Sequence, residues 1–219
     1  MTGTPPPEAP AELQDTRRST RKRGAILEAA TAAFLRNGYR GTSMDEIAAL
    51  AGVSKQTVYK HFADKERLFT EIVTSTVDEV AEPVHNEVLE LRESGDLEED
   101  LRDLARRQVA AVMQPRVLQL RRLVIAEAGR FPELGRTFYE RGPGRTIGAL
   151  ATVFDGLAAR GLLRLDDPLL AAAHFNWLIM SGPLNLAMLL GRDEAPAPAE
   201  LDRYADTGVR AFLAAYAAR

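Results

Sequence analysis

Six polar side chains suited to touching a nucleic acid, Lys55, Gln56, Thr57, Tyr59, Lys60 and His61, fall within seven consecutive residues, interrupted only by Val58. Val58 and Phe62 stand four apart, so on a helix they share one face and leave the polar groups on the others. Lys and Gln can reach base edges, while Thr, Tyr and Lys donate to phosphate oxygens. The chemistry on offer is recognition of a duplex. A solvated surface helix would carry the same residue types, and the neighbouring segments decide between the two readings.

Ser43 followed three residues later by Glu46 is a capping-box pattern, in which each side chain takes up an amide that the first helical turn leaves unpaired. Met44, Ile47, Ala48 and Ala51 then follow at i, i+3, i+4 and i+7, one helical face. Gly52 suits the left-handed conformation that ends a helix, Val53 can fill the corner, and Ser54 is an N-cap for the polar segment. Asp64 caps a further helix with Leu68, Phe69 and Ile72 on its inner side. Upstream, a helix near Arg18 to Asn37 places Ile26, Ala29, Ala30, Ala33 and Phe34 on one face, and Gly38 closes it. Arg17, Arg18, Arg21, Lys22 and Arg23 form a basic arm that either meets phosphates and a minor groove or is a solvated end. Capped helix, glycine turn, short polar helix and third capped helix, in that order, describe a helix-turn-helix.

The string FLRNGYRGTSMDEIAALAGVSKQTVYKHFADKERLF carries a resemblance. From about Lys22 to Phe69 the chain resembles the DNA-binding domain of the TetR family of transcriptional regulators. The resemblance implies a three-helix domain whose recognition helix lies near Ser54 to Phe62. It puts Thr42, Ser54, Thr57, Tyr59, Lys60 and Lys65 where family members touch the phosphate backbone, and Lys55, Gln56 and Tyr59 where bases are read. His61 matches a histidine that either contacts phosphate or packs under the next helix. Arg21 and Ser43 complete the candidate DNA-binding set. Further on, LVIAEAGRFPELGRTFYERGPGRTIGAL resembles the C-terminal domain of the AefR-like branch of the same family, over about residues 90 to 205. That resemblance implies a sensor and dimerisation domain.

Charge and composition agree with this division. The chain of 219 residues has a net charge of −3, yet residues 13 to 63 hold nine Lys/Arg against four Asp/Glu, and residues 64 to 219 hold nineteen against twenty-five. The basic excess lies with the candidate reading head, as an electrostatic footprint on DNA requires. Absence of cysteine excludes disulfides, thiolate metal sites and thiol redox sensing. Residues 1 to 12 lack the basic start and apolar stretch of a signal peptide, and residues 1 to 16 read as a disordered, proline-rich lead to a cytoplasmic protein. The apolar run Leu169 to Leu190 is broken by His174, Asn176, Ser181, Gly182-Pro183 and Asn185, which argues against a membrane span. His61, His85 and His174 are scattered and no nucleophile–base or metal-ligand spacing accompanies them, so the reading is not of an enzyme, and no cofactor is expected.

The expected fold is all-α: a three-helix DNA-binding domain over residues 17–63, then a helical bundle for ligand binding and dimerisation over 64–219, with about nine or ten helices in all. The helix from Asp64 runs towards Arg92 with Pro83 kinking or dividing it, and turns fall at Ser94-Gly95-Asp96, Pro115, Phe131-Pro132, Gly142-Pro143-Gly144, Gly161 and Asp166-Asp167-Pro168. Residues 192 to 199 form a loop before a final helix near 200 to 218. Met113, Phe138, Phe154, His174, Trp177, Ser181 and Asn185 are candidate ligand-binding residues, the last polar ones sharing a helix face at spacings of seven and four. The alternative is that they are core or interface residues. Arg121, Arg122 and Arg130 either serve an anionic ligand or are solvated. The last two long helices, with Val209, Phe212, Leu213 and Tyr216 on the final one, are expected to pair with their copies in a homodimer. The functional expectation is a small-molecule-responsive repressor on a near-palindromic double-stranded DNA operator; the alternatives are an activator or a ligand-independent architectural DNA-binding protein.

Overall fold

A computed structural model of the chain describes residues 11–190 and 196–218. The first ten residues of the expected lead, and residues 192–195 of the expected loop, lie outside the described residues. Among those described, the order is α1 (Ala11–Gly41), α2 (Met44–Leu50), α3 (Lys55–His61), α4 (Lys65–Glu90), a 3-10 turn (Leu91–Glu93), α5 (Leu97–Val112), α6 (Pro115–Glu127), α7 (Pro132–Arg141), α8 (Pro143–Ala159), α9 (Pro168–Leu190) and α10 (Pro198–Tyr216). The all-helical expectation holds. Only an isolated antiparallel bridge, Leu163 with Ala217, departs from helix pairing among the described residues.

Proline sets the starts of the last five helices. Pro115, Pro132, Pro143, Pro168 and Pro198 each open a helix, where the missing N–H has no partner to lose. Asp64, Asp96 and Asp167 cap α4, α5 and α9 by accepting from the amides of Arg67, Glu99 and Leu170 at 2.8, 3.1 and 3.0 Å. Gly38, at φ 74°, ends the regular part of α1. Two expectations need correction. α1 begins at Ala11 rather than near Arg18, and Ala, Glu, Leu and Gln after Pro10 are all good helix formers. Pro83 does not divide α4; it is exposed, and the helix runs through it.

The chain forms two compact units that divide between Ile72 and Val73, within α4. The core of the first unit joins Ile26, Ala30, Phe34, Ile47, Val58 and Phe69, all essentially inaccessible. Its aromatic centre is Phe34, Tyr39 and Phe69, with ring centroids 5.0 to 5.8 Å apart. Phe154, Phe175 and Phe212, from α8, α9 and α10, meet at the centre of the second unit with centroids 5.1 to 5.7 Å apart. α9 and α10 pack backbone to backbone there: a Cβ on Gly208 would sit 2.8 Å from the Leu178 carbonyl oxygen. In the turn that carries Pro183, Gly182 N–H donates to the Tyr204 hydroxyl of α10 at 3.0 Å. Arg106 of α5 clasps Asp206 of α10 through two bonds of 2.8 Å.

Candidate nucleic-acid interface and internal cavity

The helix-turn-helix is built from caps and one turn. Ser43 Oγ accepts from the Glu46 amide at 3.1 Å, but the reciprocal half of the expected capping box is missing. The Glu46 carboxylate instead accepts from Arg36 and Asn37 at 3.0 and 2.8 Å, tying α2 to the end of α1. Gly52, at φ 63°, reverses the chain after α2, with its own amide bonded to Ala49 O and that of Val53 to Ala48 O. Ser54 then caps α3 by accepting from the Thr57 amide at 3.1 Å, and the two hydroxyls share a bond of 2.8 Å. Val58 and Phe62, both buried, hold α3 from below.

That anchoring decides what faces water. Gln56, Tyr59 and Lys60 are exposed, as are Arg21, Ser43 and Ser54, while Thr57 is half-buried. Lys55 is also exposed and pairs with Asp45 at 2.7 Å. The hydrogen bond to Asp45 raises the Lys55 pKa above its ordinary value. A pair so open to solvent contributes little stability and can be exchanged for another anion. Four residues of one short helix, Lys55, Gln56, Tyr59 and Lys60, thus offer two amines, an amide and a phenol to whatever approaches.

The side chains of Thr42 and Lys65, two of the expected phosphate-contacting positions, bond within the protein. Thr42 is 2% exposed and donates to Gly38 O at 2.9 Å. The Lys65 ammonium donates to Tyr39 O and Thr42 O at 2.9 and 2.8 Å and lies 4.4 Å from the Tyr39 ring centroid. Lys65 thereby ties the end of α1 to the segment that enters α2. His61 is half-buried with its ring 6.4 Å from that of Phe62.

The ligand candidates separate into three groups. Phe138 lines a cavity of the second unit with about 510 Å³ of empty space, its mouth included, walled by valines of α4, α5 and α6 and by Met180. Met113 and Phe154 are fully buried in the core and do not line it. His174, Trp177 and Ser181 lie in a shallow outer depression beside Tyr204 and Tyr216, where His174 Nδ1 and Tyr216 Oη are 2.6 Å apart. Asn185 is exposed and donates to Ser181 O at 2.8 Å. The spacing of seven and four does put these residues on one face of α9, and it is the outer one.

Sequence reasoning missed the polar groups that the cavity does contain, Gln108, Thr146 and Asn176. Their signal was available: Gln108 stands in the apolar row of Leu104, Ala105 and Val109, and Asn176 follows Phe175 in a helix with few other polar residues. Gln108 Nε2 donates to Asn176 Oδ1 at 2.8 Å, leaving Gln108 Oε1 and Asn176 Nδ2 buried without partners. Arg121 also lines the cavity, with its guanidinium 5.1 Å from the Phe138 ring centroid and a buried, unpartnered Nε. Burial lowers its pKa from the ordinary arginine value.

Comparison with known proteins matches both units. Residues 26–72 match the family model described as bacterial regulatory proteins of the tetR family. Residues 99–218 match the C-terminal domain described as an AefR-like transcriptional repressor. A Mesorhizobium loti protein assigned to the TetR family of transcriptional regulators is 48% identical, with a TM-score of 0.84 over 91% of this chain and 98% of that one. The flavonoid-responsive regulator FrrA is 36% identical, with a TM-score of 0.73 over 91% of this chain and 99% of its own. Over 63 residues the chain is 41% identical to the transcriptional activator FasR of Mycolicibacterium smegmatis, a match spanning 29% of each. The chain thus spans less than a third of that curated relative. With one match on the helix-turn-helix and the other covering more than half of its length, this chain belongs to the TetR family of bacterial transcriptional regulators.

Proposed function

We propose that the chain is a cytoplasmic, ligand-responsive repressor that binds a near-palindromic operator as a homodimer and releases it when a small molecule fills the cavity of the second unit. The observation that carries the DNA half of this reading is α3 itself, with its apolar side buried and Lys55, Gln56, Tyr59 and Lys60 exposed together. In this reading Lys55, Gln56 and Tyr59 read base edges, and Arg21, Ser43, Ser54, Thr57, Lys60 and His61 meet phosphates. Thr42 and Lys65 act mainly by holding the entry to α2 in place.

The second unit supports the rest. α9 exposes Leu169, Leu170, Trp177, Leu178, Leu186 and Leu189, the last at 81%, an apolar face that isologous pairing would cover. His174, Ser181 and Asn185 lie at or beside that face, so their proposed role passes from ligand binding to the subunit interface. The cavity favours a sensor over a purely architectural protein, and the responsiveness of FrrA, by its name, supports the same assignment. α4 contributes residues to both units and is the proposed lever. By linkage, a ligand that prefers the conformation with badly spaced recognition helices weakens operator binding by that preference, and the operator weakens ligand binding equally.

A second reading, activation, is favoured by the match to FasR, whose name gives it as an activator. Both readings use the same reading head. Fragments selected from genomic DNA, followed by a ligand screen on the recovered site and a reporter downstream of it, test the whole. Release of the fragment by a ligand with a rise in reporter output supports repression; a fall supports activation; and independence of ligand and DNA binding for every compound bound at micromolar affinity removes the sensor.

A further inference from the structure

Three groups in the cavity are paired less well than buried polar groups normally are. Arg116, Arg141 and Arg145 each meet a carboxylate of α4, namely Glu79, Asp78 and Glu82. Arg121, on the same helix as Arg116, meets none among the described residues, and its Nε is buried without a partner. Its contact with the Phe138 ring offsets only part of the loss of water. The Gln108–Asn176 pair has a similar deficit. Turning both amides over exchanges which atoms are bonded, but one acceptor and one donor are left over in either arrangement. Between these polar positions the walls are aliphatic, from Val80, Val84 and Val112.

We infer that the cavity takes a small anionic amphiphile, whose negative group is the counter-charge for Arg121, whose apolar body lies against the valines, and whose hydroxyl completes the Gln108–Asn176 pair. A hydroxyl fits because it donates to one free amide atom and accepts from the other. Arg121 is then held unpaired in the empty protein at the expense of stability and becomes paired when the ligand enters. A planar aromatic acid suits the site best, since its ring can extend the Arg121–Phe138 stack. The inference rests on the sensor reading above and names the chemical class that the sensor admits.

The test uses the full chain without DNA and three compounds: 4-coumarate, its neutral methyl ester, and cinnamate, which lacks the hydroxyl. Calorimetry is expected to show one 4-coumarate per chain, with the ester and cinnamate each at least tenfold weaker. Arg121→Gln should bind 4-coumarate at least tenfold more weakly and no longer distinguish acid from ester, while Arg121→Lys stays within a few-fold of the parent. Arg121→Met should melt at a higher temperature than the parent without ligand, an outcome that a merely structural arginine would not give. Equal binding of acid and ester, unchanged binding by Arg121→Gln, or no binding of any of the three at millimolar concentration overturns the inference. Equal affinity for cinnamate overturns the assignment of Gln108 and Asn176. If 4-coumarate binds as described and leaves operator affinity unchanged, the sensor reading fails while the ligand class stands.

Discussion

α3 and the cavity of the second unit both hold polar groups with bonding capacity left over within the protein, but for opposite reasons. On α3, Gln56, Tyr59 and Lys60 lie in water, which satisfies them until something else does. In the cavity, Gln108, Asn176 and Arg121 have lost most of their water and have not gained full partners. The first arrangement costs the fold little and is coded within one short segment. The second is destabilising and depends on α5, α6 and α9 meeting in three dimensions. A surface for a large, charged partner can be left open, whereas a site for a small molecule must be dry and shaped before the molecule arrives.

The second unit should therefore be the more sensitive to packing. Gly208→Val places a branched side chain against the Leu178 carbonyl, where even a Cβ would be 2.8 Å away, and is expected to destabilise the protein by about 3 kcal/mol or more. Thermal melting checks it, and an unchanged melting temperature would mean that α9 and α10 separate easily. Within the first unit two lysines divide structure from recognition. Lys65→Met removes two charge-assisted bonds to carbonyls and is expected to cost about 2 kcal/mol of stability. Lys60→Ala should leave the melting temperature nearly unchanged but weaken binding on all sequences alike, reducing the salt slope by about one. If the two variants behaved alike in both assays, the placement of Lys65 as a latch would be wrong.

The smallest effect concerns pH. The hydrogen bond from Arg106 holds the Asp206 carboxyl below its ordinary pKa, although burial opposes the shift. A lowered folded-state pKa means that the unfolded chain binds the proton first, so the contribution is present above the ordinary carboxylate range and is lost as pH falls through the folded value. Below about pH 4 the melting temperature of the parent should fall more steeply than that of Asp206→Asn.

The contrast between the two sites also explains what was legible in sequence. Ser43, Gly52, Ser54 and Asp64 act on neighbours a few residues away, so cap, turn and short polar helix could be read directly and were found where expected. The boundaries at Pro115, Pro132, Pro143 and Pro168 were legible for the same local reason, whereas α10 opens at Pro198, inside the segment expected to be a loop. Glu46 shows where locality ends: its spacing fits a capping box, and Arg36 and Asn37, from α1, take it instead. The placement of Lys65 likewise depends on the carbonyls of Tyr39 and Thr42, more than twenty residues away. For α9 the periodicity grouped His174 and Ser181 correctly on one face, but a helix that is apolar nearly all round does not say which side faces a cavity. Asn176 and Met180 were on that side.

The central claim is that the wet side of α3 reads a duplex, and fluorescence anisotropy of the full chain and of Gln56→Ala tests it most directly, on a selected operator and on random DNA at two salt concentrations. The parent is expected to bind both at low salt and to prefer the operator, while Gln56→Ala loses preference at one base position by about 1–3 kcal/mol and keeps its affinity for random DNA. Failure of the parent to bind any duplex at low ionic strength would contradict the account, and equal losses on both DNAs would remove Gln56 from base reading.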